Sequence, residues 1–296
     1  MTGGDLYEGL RPRAFAVAYR MLGSASDAED VVQEALLRLH RALAGGERID
    51  SPPAWVAAVV TRLSIDELRS ARARRESYVG EWLPEPLVAG EDEPAAQAEL
   101  ADSLSLAFLV VLERLSPEQR AAFLLREVFD YPYDQIAAIV GTSEANARQL
   151  TARARRHVEE RRPRYEPSQE VRDELARRFM AAAREGDLAG LEELLAEDVE
   201  LHGDGGGKVP ALARAIRGRE RVARTLVAWV KAGRRLGGLS LLPEVVNGQP
   251  GAVVIDAEGR PMAVWSLDVA DGRIRAVRSV ANPDKLRHIS PRSAPR

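Results

Sequence analysis

The stretch "ESYVGEWLPEPLVAGEDEP", residues 76–94, is what most limits how this chain can fold. Prolines at 84, 86 and 94 and the glycines among them leave it no helical period. From Glu76 to Ser103 there are eight acidic residues and no lysine or arginine. Such a segment is a linker, so the 296 residues must fold as separate pieces on either side of it. Its flanks carry the opposite charge. Thr61–Arg75 holds five arginines against two acids, and Ser143–Arg164 seven against three. The net charge of −3 therefore averages over two basic segments and the acidic one between them.

Other bounds are simple. There is no cysteine, which removes disulfide frameworks and thiolate metal sites. No apolar run approaches the ~18 residues of a membrane span, and "MTGGDLYEGLRPR" lacks the pattern of a signal peptide. The expectation is a soluble, cytoplasmic protein without membrane, metal or cofactor.

Residues 1–76 read as helices. "SASDAEDVVQEALLRLHRAL" offers a capping-box pair, Ser26 with Glu29, ahead of the apolar series Val32, Leu36, Leu39 and Leu43. "SPPAWVAAVVTRLSIDELRSARARR" opens with Ser51 as cap and Pro52 at the first helical position. After the linker (77–101), a second helical block covers 102–164 and includes a helix start at Ser116, Pro117 and Gln119.

That block contains "YDQIAAIVGTSEANARQLTARARRHVEERR". A short amphipathic helix meets Gly141, and Thr142 and Ser143 then cap a longer helix. This is the helix-turn-helix layout, whose second helix enters the major groove. Ser143, Glu144, Asn146, Arg148 and Gln149 lie near the end that reaches base edges. Arg153, Arg155 and Arg156 suit phosphates further along. A plain helical hairpin with a solvated arginine face is the bland alternative.

"DAEDVVQEALLRLHRA" followed by "AWVAAVVTRLSIDELRSARAR" resembles region 2 of bacterial sigma-70-type initiation factors, and the second block resembles their region 4. With no region 3 between them, residues 8–162 look like the extracytoplasmic-function (ECF) group. Asp30, Gln33 and Glu34 share one polar helix face; the resemblance implies that it docks on the clamp helices of the polymerase β′ subunit. Arg62, Asp66, Arg69, Arg72, Arg74 and Arg75 suit backbone phosphates and the melted −10 strand. The resemblance places a flipped base at the loop "AGGERID" and the −35 element on the helix-turn-helix. Leu63 departs from the asparagine that many members carry.

The remainder, 168–290, reads as two helices entering a strand, a third helix, "GRERVARTLVAWVKAG", and then four strands. Asp271-Gly272 is a hairpin turn between the last two. Helices followed by an antiparallel sheet make an α+β domain. "EGDLAGLEELLAEDVEL" resembles the SnoaL-like branch of the nuclear-transport-factor-2-like superfamily, a curved sheet wrapping helices around a cone-shaped pocket. The expected class is therefore multidomain: two all-α sigma domains and an α+β SnoaL-like domain.

"HGDGGGKVP" suggests a phosphate loop, but His202 and Val209 stand where a Walker loop needs glycine and Ser or Thr. "DGGGKV", "YVGEWLPEPL" and "NPDKL" instead resemble hallmarks of the ECF subgroup with a fused SnoaL-like domain, the SigJ-like subgroup. That resemblance implies regulation in cis by the C-terminal domain. Trp82, Leu83, Pro84 and Pro86 form a stiff, apolar, exposed peptide suited to a groove. Gly205, Gly206 and Gly207 permit close backbone approach, with charge from Asp204 and Lys208. Asn282, Pro283, Asp284, Lys285 and Leu286 complete the set. A surface hairpin with no partner is the alternative reading of "DGGGK".

The expected partners are core RNA polymerase, promoter DNA and, given the cone-shaped pocket, an unidentified small ligand. Catalysis in the C-terminal domain would fall to His202, Asp204, Asp256 or Asp268, none of which has a visible partner constellation; no enzyme activity is expected. Asp256 is expected in a hairpin turn and Asp268 on a solvent face. The competing class is a one-component helix-turn-helix repressor with a ligand-binding C-terminal domain. Such a repressor has no use for the acidic face of Asp30 and Glu34.

Overall fold

The computed structural model describes residues 3–76, 78–88, 105–160, 167–235 and 238–292, with the side chains of 3–5 and 71–76 excepted. By internal contacts the chain forms two compact units, Met1–Ser77 with Leu109–Arg162 and Tyr78–Phe108 with Pro163–Arg296. The connecting stretch that begins at Tyr78 thus belongs with the C-terminal domain.

In the first unit, α1 (Gly3–Leu22) packs on both α2 (Ala25–Ala44) and α3 (Pro52–Glu76). Ser24 caps α2, accepting a hydrogen bond from the Asp27 amide at 3.1 Å. The expected cap pair of Ser26 and Glu29 is corrected by this: Gly23, at φ +65°, turns the chain two residues earlier. Pro52 opens α3, where an N1 proline loses no hydrogen bond.

After α4 (Leu106–Leu112) come α5 (Pro117–Glu127), α6 (Tyr133–Val140) and α7 (Glu144–Glu159). Ser116 and Gln119 form the full capping box expected at the start of α5. Gly141, at φ +75°, ends α6 in the left-handed region that only glycine enters without strain. Ser143 caps α7 by accepting from the Asn146 amide at 3.2 Å. Ala57 of α3 shares a buried apolar cluster with Ala122, Leu125, Ile136, Ile139 and Ala147, which joins the two helical blocks.

In the second unit, α8 (Gln169–Glu185) and α9 (Leu188–Leu194) lead into β1 (Leu195–Asp204). Then follow β2 (Ile216–Arg217), α10 (Arg219–Arg235), β3 (Ser240–Val246), β4 (Gln249–Ile255), β5 (Pro261–Ala270), β6 (Arg273–Val280) and a 3₁₀ turn at Pro283–Leu286. The sheet order is β2-β1-β6-β5-β4-β3. β1 runs parallel to β6, so the sheet is mixed; the antiparallel expectation holds only for the other pairings. β2, α10 and three further strands stand between β1 and β6, a connection long enough for the two to pair in parallel.

Side chains alternate across the sheet. Leu201, Val254, Trp265, Leu267 and Val277 face inward to α8–α10, packing with Phe179, Leu191, Val222 and Leu226. His202, Asp204, Ser266, Asp268 and Arg278 therefore take the outer face. No helix among the described residues is long and apolar enough to cross a membrane.

Candidate nucleic-acid and linker-binding sites

On α2, Asp30 and Gln33 are exposed, and Glu34 pairs with Arg38 at 2.7 Å. Leu37, half exposed, continues this face one turn on. It was missed in the sequence because it reads as one more apolar residue of an amphipathic helix. An exposed leucine beside carboxylates suits a protein partner better than water.

Two arginines of α3, Arg62 and Arg69, are already engaged. Arg62 donates from Nε to the Ile139 carbonyl at 3.1 Å and from its terminal nitrogen to the Ala138 carbonyl at 2.9 Å. These oxygens belong to the last turn of α6, where helical carbonyls lack partners and the dipole favours a cation. Arg69 pairs with Glu118 at 2.7 Å and with Asp66 at 3.4 Å. Partial burial is the largest single influence and pushes the Glu118 carboxyl up, but the hydrogen bonds from Arg69, its own backbone amide and Ser116, together with the Arg69 charge, hold the group below its usual value. The side chains of Arg72, Arg74 and Arg75 lie outside the described residues.

Arg120 of α5 is buried against the end of α1, donating to the Met21 carbonyl at 2.5 Å and to Glu113 at 2.8 Å. Its Nε has no partner, and burial pushes the guanidinium down to about 9.

On α7, Ser143, Glu144, Asn146, Gln149, Arg153 and Arg156 are exposed along one side. Arg148 pairs with Glu144 and lies 4.3 Å from the centroid of the Tyr133 ring, while Arg155 pairs with Glu127 at 2.5 Å. Ala147, Thr151, Ala154 and Val158 bury the opposite face. α7 thus presents amide, hydroxyl and guanidinium groups over a face that nothing in its own unit covers.

The second site is on the outer sheet face, where residues 78–88 cross from β1 to β3. Asp204 is its centre and is fully buried. Its carboxylate accepts from the Tyr78 hydroxyl at 2.5 Å, the Leu83 amide at 2.9 Å, the Gly206 amide at 3.0 Å and Lys285 Nζ at 2.7 Å. Lys285 also donates to the Leu83 carbonyl. Its ammonium lies 4.1 Å from the Trp82 ring centroid and 5.1 Å from that of Tyr78, a cation–π arrangement strengthened by exclusion of water. Asn282 donates to the Tyr78 oxygen at 2.8 Å. Burial, and then the hydrogen bond to Asp204, push the Tyr78 phenol well above its usual value.

The glycines let this happen. A Cβ on Gly206, which sits at φ +59°, would lie 2.3 Å from Asn282 Nδ2, and one on Gly205 would lie 2.4 Å from the Val209 carbonyl. Gly207 packs under Val79 in the same way. Lys208 pairs with Asp284 at the rim. Pro283 opens the 3₁₀ turn that carries Lys285 and Leu286 inward.

Leu83, Pro84 and Pro86 are buried. The peptide expected to be exposed is covered, because the sheet's outer face supplies its groove. Further along, Asn247 and Leu87 exchange two hydrogen bonds, at 2.8 and 2.9 Å, and Val88 bridges Val246 at the β3 edge. His288 contacts the Pro86 carbonyl at 2.8 Å. The structure also brings in Tyr78, Glu81, Asn247 and His288, which the sequence reading had not singled out. Glu81 was legible as a charge alone; its partner, His202, lies 121 residues away.

The acid–base candidates are dispersed. His202 bridges Glu81 at 2.7 Å and Glu200 at 3.0 Å on the outer face. Asp256 closes its own turn by accepting from the Glu258 and Arg260 amides. Asp268 pairs with Arg278 of the neighbouring strand and its side chain is 20% exposed, so the solvent-facing expectation is corrected by this ion pair on the outer face. Among the described residues no group of His, Asp and Glu could hold a metal ion.

Comparison with known proteins agrees with this geometry. Residues 6–74 match the family profile "Sigma-70 region 2", 105–158 "Sigma-70, region 4" and 176–277 "SnoaL-like domain". The chain is 42% identical over 290 residues to the ECF RNA polymerase sigma factor SigJ of Mycobacterium tuberculosis, covering 95% of this chain and 92% of that protein. A probable ECF sigma factor of the same organism, SigI, is 34% identical over 282 residues, with 93% and 92% covered. The crystal structure of SigJ superposes with a TM-score of 0.76 at 38% identity, covering 96% of this chain and 98% of that one.

Proposed function

The chain belongs to the extracytoplasmic-function sigma factors, which direct RNA polymerase to promoters, and from that premise we propose how its parts divide the work. The α2 face of Asp30, Gln33, Glu34 and Leu37 docks on the β′ clamp helices of core polymerase. α3, through Arg62, Arg69, Arg72, Arg74 and Arg75, serves the −10 region. α7 reads the −35 element with Glu144, Asn146, Arg148 and Gln149, with Ser143, Arg153, Arg155 and Arg156 on phosphates. The site of action is the cytoplasm, where polymerase and promoter are.

In the free chain Arg62 and Arg69 are spent on α6 and Glu118, so promoter contact requires that the two helical blocks part. The C-terminal domain acts on the connection between them. It fixes Tyr78–Val88 to its sheet through Asp204 and Lys285, taking that length out of the chain that joins α3 to α4. The single observation that carries this reading is the buried Asp204 carboxylate, whose four donors include the linker's Tyr78 hydroxyl and Leu83 amide. The inner face of the same domain is lined by apolar residues, so any small ligand there would be apolar.

The test is transcription with core polymerase on a selected promoter pool. A promoter-specific transcript that weakens when Asp30 and Glu34 become alanine, with an unchanged melting curve, is the expected result. Duplex binding by the chain alone with no transcript would instead favour a one-component repressor.

A further inference from the structure

We propose that the outward face of α10 is a further nucleic-acid contact, a basic stripe that lies on the phosphate backbone of promoter DNA in the holoenzyme. The proposal rests on the sigma-factor reading and extends DNA contact to the C-terminal domain. Ala211–Arg235 carries eight basic residues and one acid in a chain whose net charge is −3. Val222, Ala223, Leu226 and Val227 bury the inner side of α10. Arg221, Arg224, Ala228, Lys231 and Arg235, spaced three and four apart, are exposed along the outer side.

What separates this stripe from an ordinary solvated face is the lack of counter-charge. Elsewhere in the same domain several exposed arginines find acids, Arg260 with Asp256, Arg275 with Asp198 and Asp271, Arg287 with Asp284, while Arg184 and Arg273 donate to backbone carbonyls. On the stripe Arg224 pairs with Glu220, but Arg221, Lys231 and Arg235 have no ion pair among the described residues. Exposed Arg214, just ahead of the helix, has none either. Arg153 and Arg156 of α7 share this property.

Like charges one helical turn apart repel, and a polyanion laid along them relieves that cost. From Arg221 to Arg235 the helix advances about 21 Å, roughly six phosphate steps of one DNA strand. Ala228 and Ala232 keep the middle of the stripe low enough for a backbone to approach. Phosphate contact of this kind adds affinity without sequence preference.

The experiment uses holoenzyme made from the full chain and core polymerase. Arg221, Lys231 and Arg235 are changed together to glutamine, and promoter affinity is titrated against salt. Separately, a photoreactive residue replaces Ala228. Wild-type transcription is measured in the same assay; without it there is no promoter complex for the stripe to serve, and the proposal falls together with the sigma reading. With it, the slope of log affinity against log salt should shrink by about 2–3, at ~0.9 per phosphate. The promoter preference should be unchanged, and position 228 should cross-link to DNA. An unchanged slope, or cross-links only to polymerase or within the chain, would overturn the proposal while leaving the sigma reading intact.

Discussion

Two buried cations hold this molecule's parts, and they are satisfied very differently. Lys285 of the second unit meets a fully buried carboxylate, a carbonyl and two aromatic rings, and every oxygen of Asp204 has a donor. Arg120 of the helical unit meets one carbonyl and a carboxylate near the surface, and its Nε is left without a partner. Among the described residues, α3 is tied to the second helical block near the surface by Arg62 on two carbonyls and Arg69 on Glu118. A complete buried network is costly to break, whereas an incomplete one backed by surface pairs opens with little loss. The linker grip is thus the more completely satisfied polar joint, and on the proposed reading the polar contact between the helical blocks is the one that parts.

The largest expected effect is on the linker grip. Asp204→Ala strands Lys285 and the Leu83 amide, and should lower stability by about 3–5 kcal/mol in chemical denaturation, with residues 78–88 becoming open to protease. Lys285→Met should do similar damage. By contrast Arg120→Met leaves the Met21 carbonyl without this donor, but Glu113 is partly exposed and can reach water, so the loss should be smaller, about 1–3 kcal/mol. Equal losses in the two variants would erase the comparison.

Next comes recognition. Arg148→Ala and Gln149→Ala should each cost roughly 1–3 kcal/mol at a cognate −35 element if they read bases, measured by transcription on matched and scrambled elements. Equal loss on both templates would indicate phosphate contact.

The smallest effect should be on the contact between the helical blocks. Arg62→Ala with Arg69→Ala should change stability little, and chiefly at low salt. Glu118 is held below its ordinary value of 4.5, so its contribution is present above that pH and is lost as pH falls through the folded value. Exchange of labels placed on α3 and α6 should therefore quicken in acid, and should not in Glu118→Gln.

What was legible in the sequence was local. Ser116 with Gln119 and the glycine at 141 announce their helix ends because their partners are within a few residues. The break at the linker and the four late strands were readable for the same reason. Ser24 was not, since three serine and aspartate candidates cluster there and only the turn at Gly23 selects one. The parallel pairing of β1 with β6 was hidden because it joins residues more than 70 apart. The "DGGGK" and "NPDKL" segments were legible as a set through family resemblance, but the chemistry between them was not. Tyr78 meets Asp204 across 126 residues, and no periodicity records such a contact.

On the proposed reading, the C-terminal sheet holds the linker and thereby tunes the sigma factor in cis. The most direct measurement is transcription by holoenzyme carrying Trp82→Ala, compared with wild type on cognate and mismatched promoters. Trp82 lies on the Lys285 ammonium and outside the proposed DNA and polymerase contacts. The expected result is an altered transcript level with promoter preference unchanged. A transcript level identical to wild type, with the linker shown by protease to be released, would contradict it.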